Sequence, residues 1–130
     1  MKILNRIAIL LLLVSGVACS KKEDPAPSIV GTWKSSTEIK SSCTDPNDNG
    51  TQTCTTDCFT ITFTASTFTL TIPGLGGLNG NYTTSGSTLT LTVSGGSPTS
   101  GTYALTATTL TLTTTDSSSG CTIVDTLIRQ

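Results

Sequence analysis

"GNYTTSGSTLTLT", residues 80–92, alternates apolar and hydroxyl side chains on either side of a glycine. Tyr82 stands in the first run, Leu89 and Leu91 take every second place in the next, and Gly86 interrupts the pattern between them. A period of two is the mark of a strand with one buried face, and a glycine between two such runs marks a turn. The stretch therefore predicts two antiparallel strands, 79–84 and 88–94. Working outward, the same alternation predicts strands at 31–40, 58–64 and 67–72 before it and at 101–105, 109–115 and 121–129 after it. No segment carries a convincing helical period.

Eight short strands in succession predict an all-β chain, a small up-and-down antiparallel barrel, because closing the meander removes the edges that an open sheet would expose. Its inward set is Trp33, Phe59, Ile61, Phe63, Phe68, Leu70, Ile72, Tyr82, Leu89, Leu91, Val93, Tyr103, Leu105, Leu110 and Leu112, with threonines on the opposite face. Ser35 and Thr37, on the inner face of the first strand, are small polar groups that could line a pocket near one end. The last strand is ambiguous: Val124 and Ile128 face one way, Ile123 and Leu127 the other, which asks for a bulge or for burial on both faces. Connections around Ala65, Gly86 and Ala107 read as tight. Those at 41–57, 73–78, 95–100 and 116–120 read as longer and fall together at the other end. Trp33 and Arg129 belong to the tight-turn end, and the cysteines after residue 40 to the long-loop end.

Composition excludes several function classes. From residue 29 onward three basic side chains stand against six acidic ones, a net negative surface that gives nucleic acid no footing. The chain has no histidine, which removes the commonest general base and metal ligand. No serine or threonine has a base to activate it, so the chain is read as a non-enzyme. Cys43, Cys54, Cys58 and Cys121 form an even set that predicts two disulfides with three possible pairings. The expected pairing is Cys43 with Cys54 and Cys58 with Cys121, the second bridging the starts of two strands about 10 Å apart, so that one cysteine must lean in from a loop. Zinc is the rival use of these thiolates, and an oxidising compartment argues against it.

The amino-terminal segment predicts that compartment. Lys2 and Arg6 precede an apolar block from Ile7 to Val14, then Gly16, Val17 and Ala18 lead to Cys19. The order is that of a secretory signal peptide, and the block is shorter than the roughly 20 residues of a membrane span. It resembles a bacterial lipobox of the looser, Bacteroidetes-type form, with Gly16 where leucine is usual. That resemblance implies cleavage after residue 18 and acylation, palmitate included, on Cys19. The expected organisation is a signal at 1–18, a lipidated cysteine and flexible tether at 19–28, and a domain at 29–130. The expected location is the bacterial outer membrane, with Lys22-Glu23-Asp24 either a signal for the cell surface or a solvated spacer.

"IVGTWKSS", residues 29–36, together with "GTYALTATTLTLT" and the closing "TLIRQ", resembles short lipocalin-like (calycin-like) domains. The resemblance implies that Gly31, Trp33 and Arg129 form the closed base of the barrel, the basic side chain lying across the tryptophan. It also implies an opposite mouth, where a small hydrophobic ligand would bind. "PGLGGLNG", residues 73–80, lacks the following helix of a phosphate loop and reads as a mouth loop with Leu75 and Leu78 exposed or folded over the opening. "DPNDNG" offers Asp45, Asn47 and Asn49 in the spacing of a calcium loop, but the twelfth position is Thr56 and a tight surface turn uses the same residues. No other cofactor is expected. The functional expectation is a monomeric, membrane-anchored lipoprotein of the cell envelope that binds a small apolar molecule, or else a filled barrel that engages an envelope protein through its loops.

Overall fold

The computed structural model describes residues 25–130; Cys19 and the signal segment lie outside the described residues. One sheet holds nine antiparallel strands: β1 (Gly31–Ser41), β2 (Gly50–Thr53), β3 (Thr60–Phe63), β4 (Thr67–Ile72), β5 (Gly76–Ser85), β6 (Thr88–Val93), β7 (Pro98–Leu105), β8 (Thr109–Thr115) and β9 (Thr122–Arg129). Pairing runs in sequence from β3 to β9, and β9 returns to β1 along nearly its whole length, from Trp33↔Arg129 to Ser41↔Thr122. The eight expected strands thus close into an up-and-down barrel.

The ninth strand, β2, lies inside the segment 41–57 that had read as a loop. It exists because β3 covers only Gly31 to Lys34 of β1, leaving the edge from Thr37 to Lys40 for Gly50 to Thr53 to pair with. Between these two partners the chain crosses the gap, where Cys54 N donates to Ser36 O at 2.7 Å and Ser35 N donates to Phe59 O at 3.0 Å. The β1–β9 register shifts at the same place: Ser35 faces Leu127 but Thr37 faces Thr126, so Ser36 is an extra residue. A bulge of this kind bends its strand and reverses which side chains point inward beyond it. The irregularity expected of the last strand is therefore resolved on β1.

Two of the four connections expected to be long are short. β5 begins at Gly76 and β7 at Pro98, leaving only residues 73–75 and 94–97 as turns. The glycine-rich segment carries no alternating side chains, yet its backbone pairs, with Leu70 opposite Leu78 and Ile72 opposite Gly76. The connections that remain long are 42–59, including β2, and 116–121. Both disulfides lie there, with the pairing corrected: Cys43 joins Cys121, and Cys54 joins Cys58. Cys43 and Cys121 meet because the two connections stack, Thr44 N donating to Ser119 O at 2.9 Å. Cys54 and Cys58 close the short crossing between β2 and β3.

Packing is concentrated at the tight-turn end. Trp33, Phe63, Leu110 and Leu127 are fully buried, with Ile61, Phe68, Tyr82 and Leu89 around them. The ring of Tyr82 meets Phe63 edge-on at 4.9 Å, and its hydroxyl donates to Thr64 O at 2.6 Å. Leu70, Leu91, Val93, Tyr103, Leu105 and Leu112 are only partly buried around this cluster. Burial on this scale supplies the main driving force, about 25 cal/mol per Å² of apolar surface removed from water.

Candidate functional site

The two ends of the barrel are built differently. At the base, the guanidinium of Arg129 lies over Trp33, 4.1 Å from the ring centroid. Its Nε donates to Ala107 O at 2.9 Å, Nη1 to Val30 O at 3.0 Å, and Nη2 to Ser28 O. Trp33 Nε1 donates to Ile29 O at 2.8 Å, so the indole is buried with its polar atom satisfied. Gly31 adopts φ 139°, and a Cβ there would fall 2.5 Å from Arg129 Nη1. Both facts require glycine. Gly31, Trp33 and Arg129 thus meet in one sealed cap, which leaves no opening there for a ligand.

At the mouth the barrel opens into a cleft. A cavity of about 380 Å³ is lined by Ser35, Glu38, Gln52, residues 53–57, Phe59, Ile72 and Asp125. Phe59 and Ile72 form its apolar side. The crossing closed by Cys54 and Cys58 forms part of its wall: Ser35, Cys54 and Thr55 also line a second, outer groove with Lys34, Cys58 and Ile128.

Glu38 reaches this cavity because of the Ser36 bulge. Straight alternation from Trp33 and Ser35 would turn Thr37 inward, and Thr37 was the expected lining residue. The bulge turns Thr37 out and Glu38 in, directly opposite Asp125 across the ladder and beside Gln52 on β2. Asp125 follows the same face as Leu127 and stands opposite Leu112 of β8. One of its oxygens, Oδ1, is buried and has no hydrogen-bond partner among the described residues. Burial, and next the neighbouring Glu38, push the Asp125 carboxyl up to about 6, with Lys40 opposing. Lys40 Nζ lies 3.5 Å from Glu38 Oε1 at the rim.

The other expected mouth residues lie outside the cavity lining. Leu75, at the tip of the β4–β5 turn, is 84% exposed, and Leu78 is exposed beside it, so neither folds over the opening. In the DPNDNG loop the side chains serve the loop itself. Asp45 Oδ1 accepts from both the backbone N and the Nδ2 of Asn47 at 2.9 Å, capping a 3-10 turn at Pro46–Asp48, and Asn49 Oδ1 accepts from Cys43 N. Of the two acids that could complete a calcium site, Asp48 lies in the 3-10 turn itself and Asp57 lines the mouth cavity. No cluster of three His, Cys, Asp or Glu able to hold a metal occurs among the described residues. Glu38, Gln52 and Asp125 were not singled out from the sequence. For Asp125 a signal existed, since it shares its parity with Ile123 and Leu127; for Glu38 the bulge concealed it.

A family match and one solved structure agree with this architecture. The lipocalin-like domain family matches residues 29–113. An uncharacterized protein from Bacteroides eggerthii has a similar structure, with TM-score 0.54 and 14% identity over 78% of this chain and 98% of its own. A redesigned β-barrel aligns with TM-score 0.47 and 22% identity over 78% of this chain and 90% of its own. No curated protein matches.

Proposed function

This chain belongs to the lipocalin-like domain family, and on that premise we propose that it is a lipid-anchored binding protein of the bacterial cell envelope that takes a small molecule into its mouth cavity. The observation that carries the reading is the contrast between the ends: a sealed base packed on Trp33, and at the mouth a half-open cleft of about 380 Å³ that joins Phe59 and Ile72 to the Glu38–Asp125 pair. That volume falls within the roughly 300–1,000 Å³ of small-molecule sites. Phe59 and Ile72 offer an apolar surface, and Ser35, Gln52 and the carboxylates offer polar contacts. Among the described residues no nucleophile stands beside a base that would support a catalytic role.

Anchoring is proposed through Cys19. Ser28 is held at the base by Arg129, so a tether running back from it would leave the mouth facing away from a membrane. Acyl chains on Cys19 would each contribute about 0.8 kcal/mol per buried CH₂ to attachment. A Cys19→Ser chain is expected to leave the membrane fraction or to resist processing; a variant that is still cut and still membrane-bound removes the anchor from the proposal.

The ligand reading is tested by native mass spectrometry on protein taken from its own membrane. A consistent extra mass of a few hundred daltons supports it. The bare mass of polypeptide plus acyl chains would favour the second reading, a surface interaction module, for which the exposed Leu75 and Leu78 supply a contact.

A further inference from the structure

We infer that the mouth cavity selects a small molecule carrying a protonated amine on an apolar body, with Asp125 and Glu38 as its charge partners. The inference rests on the binding role proposed above and adds the chemical class of the ligand. It starts from an arrangement that is unfavourable in the protein alone. Glu38 and Asp125 are directly opposed on one face of the β1–β9 ladder, and like charges so placed destabilise a sheet. Asp125 is also drawn into the cavity, where its carboxylate loses water.

The groups facing Asp125 offset its burial only in part. From β1 come Glu38 and, further toward the rim, Lys40, which lies against Glu38. From β8 comes Leu112, which has no charge; Asp57, on the crossing, is exposed and also lines the cavity. Asp125 Oδ1 is buried without a partner among the described residues. The raised titration of Asp125, with burial as its first cause and Glu38 as its second, agrees with this geometry.

Each ligand class meets this lining differently. An anionic molecule would add a negative charge to an acidic cavity. A neutral apolar molecule would take further water from the carboxylates and return nothing. An ammonium group supplies up to three donors and a positive charge to Asp125, whose neighbour Glu38 already has Lys40, while Phe59 and Ile72 receive its hydrocarbon. A bare calcium ion asks for six to eight oxygen ligands, and the apolar side of this cavity does not offer them.

The test compares three probes of one size on the acylated full chain in nanodiscs, with empty nanodiscs as the blank: 2-phenylethylamine, 2-phenylethanol and 3-phenylpropanoate. Affinities are measured calorimetrically at pH 7.5 and pH 5, and the site is mapped by amide NMR shifts at Ser35, Phe59 and Asp125. The amine is expected to bind at least tenfold more tightly than the other two at pH 7.5, and to lose most of that preference at pH 5, where Asp125 is protonated. Asp125→Asn should cost the amine tenfold or more and leave the alcohol unchanged or improved, whereas Asp116→Asn, outside the cavity, should change neither. Equal binding of all three probes, or an amine affinity indifferent to Asp125→Asn, overturns the amine assignment and leaves the cavity reading standing. Calcium chloride alone shifting the same amides, and losing that effect in Asp125→Asn, overturns it in favour of a metal cation. No shift at these residues with any probe overturns both readings.

Discussion

Arg129 stacks on Trp33 at 4.1 Å, and the pair ties the end of the chain to its first strand. Three further hydrogen bonds carry the same guanidinium to the carbonyls of Ser28, Val30 and Ala107, so one side chain gathers the entry to β1, the β7–β8 turn and the end of β9. Arg129→Ala is expected to destabilise the barrel by about 2 kcal/mol, combining a cation–π contact with lost charge-assisted hydrogen bonds. Gly31→Ala should cost about 1 to 3 kcal/mol, because it strains the backbone and drives a methyl into Arg129. In the double variant the second change should cost less than it does alone. Urea unfolding of the two single variants and the double variant checks this, and strictly additive effects would show that the glycine is not there for the arginine.

Tyr82 joins β5 to the β3–β4 turn through its hydroxyl bond to Thr64 O. Tyr82→Phe keeps the ring packed on Phe63 and removes one hydrogen bond, an expected loss of about 1 kcal/mol. Burial raises the phenol above its ordinary range. A raised acid binds its proton more firmly when folded, so the stability linked to it is present at neutral pH and lost as pH rises past 10. The gap between wild type and Tyr82→Phe should therefore narrow at alkaline pH in denaturant titrations; a constant gap would mean that the phenol does not titrate with folding.

The two disulfides constrain the unfolded chain very unequally. Cys43 and Cys121 are 78 residues apart and Cys54 and Cys58 only 4. Loop-closure entropy gives roughly 4 to 5 kcal/mol for the first and roughly 2 kcal/mol for the second. The Cys43→Ser/Cys121→Ser variant is expected to melt far below the Cys54→Ser/Cys58→Ser variant, whose losses should be confined to faster amide exchange around residues 54–59. Comparable melting of the two would contradict the pairing, as would non-reduced peptides linking Cys43 to Cys54.

How legible all this was from the sequence depended on whether a feature was local. Alternation in β4, β6 and β8 located those strands because each strand writes its own period. The inward set from Trp33 to Leu112 followed from the same rule. β2 was not legible: Gly50 to Thr53 has no apolar face, and it is a strand only because β3 stops short on its side of β1. Leu127 and Glu38 depended on the Ser36 bulge, one extra residue in a run of ordinary strand formers that nothing nearby announces. The disulfide pairing failed for a related reason. It assumed that β3 and β9 start at one rim across an uninterrupted β1, whereas β2 takes Cys54 up that edge and brings it back to Cys58, leaving Cys43 to meet Cys121.

Asp125 and Asp116 should shape the acid side of the stability curve in opposite senses. Asp116 accepts from Ser118 N, Ser118 Oγ and Ser119 Oγ, and these donors lower its carboxyl to about 2. Its stabilisation is present above the ordinary carboxylate range and disappears as pH falls toward 2. Asp125 is raised to about 6, so the folded protein holds its proton where the unfolded chain has released it. Stability linked to Asp125 is complete below about pH 4 and is lost as pH rises through 6. Asp125→Asn removes that loss. Because the carboxyl is only partly buried, solvent screening reduces the full effect, and a gain of about 1 kcal/mol is expected at pH 7.5, or roughly 4 to 8 °C in the melting midpoint. At pH 4 the variant and wild type should coincide. Melting curves from pH 3 to 8 decide the matter: a variant that is no more stable than wild type at pH 7.5, or that gains as much at pH 4, would show that burial and the facing Glu38 do not raise Asp125 in the folded barrel.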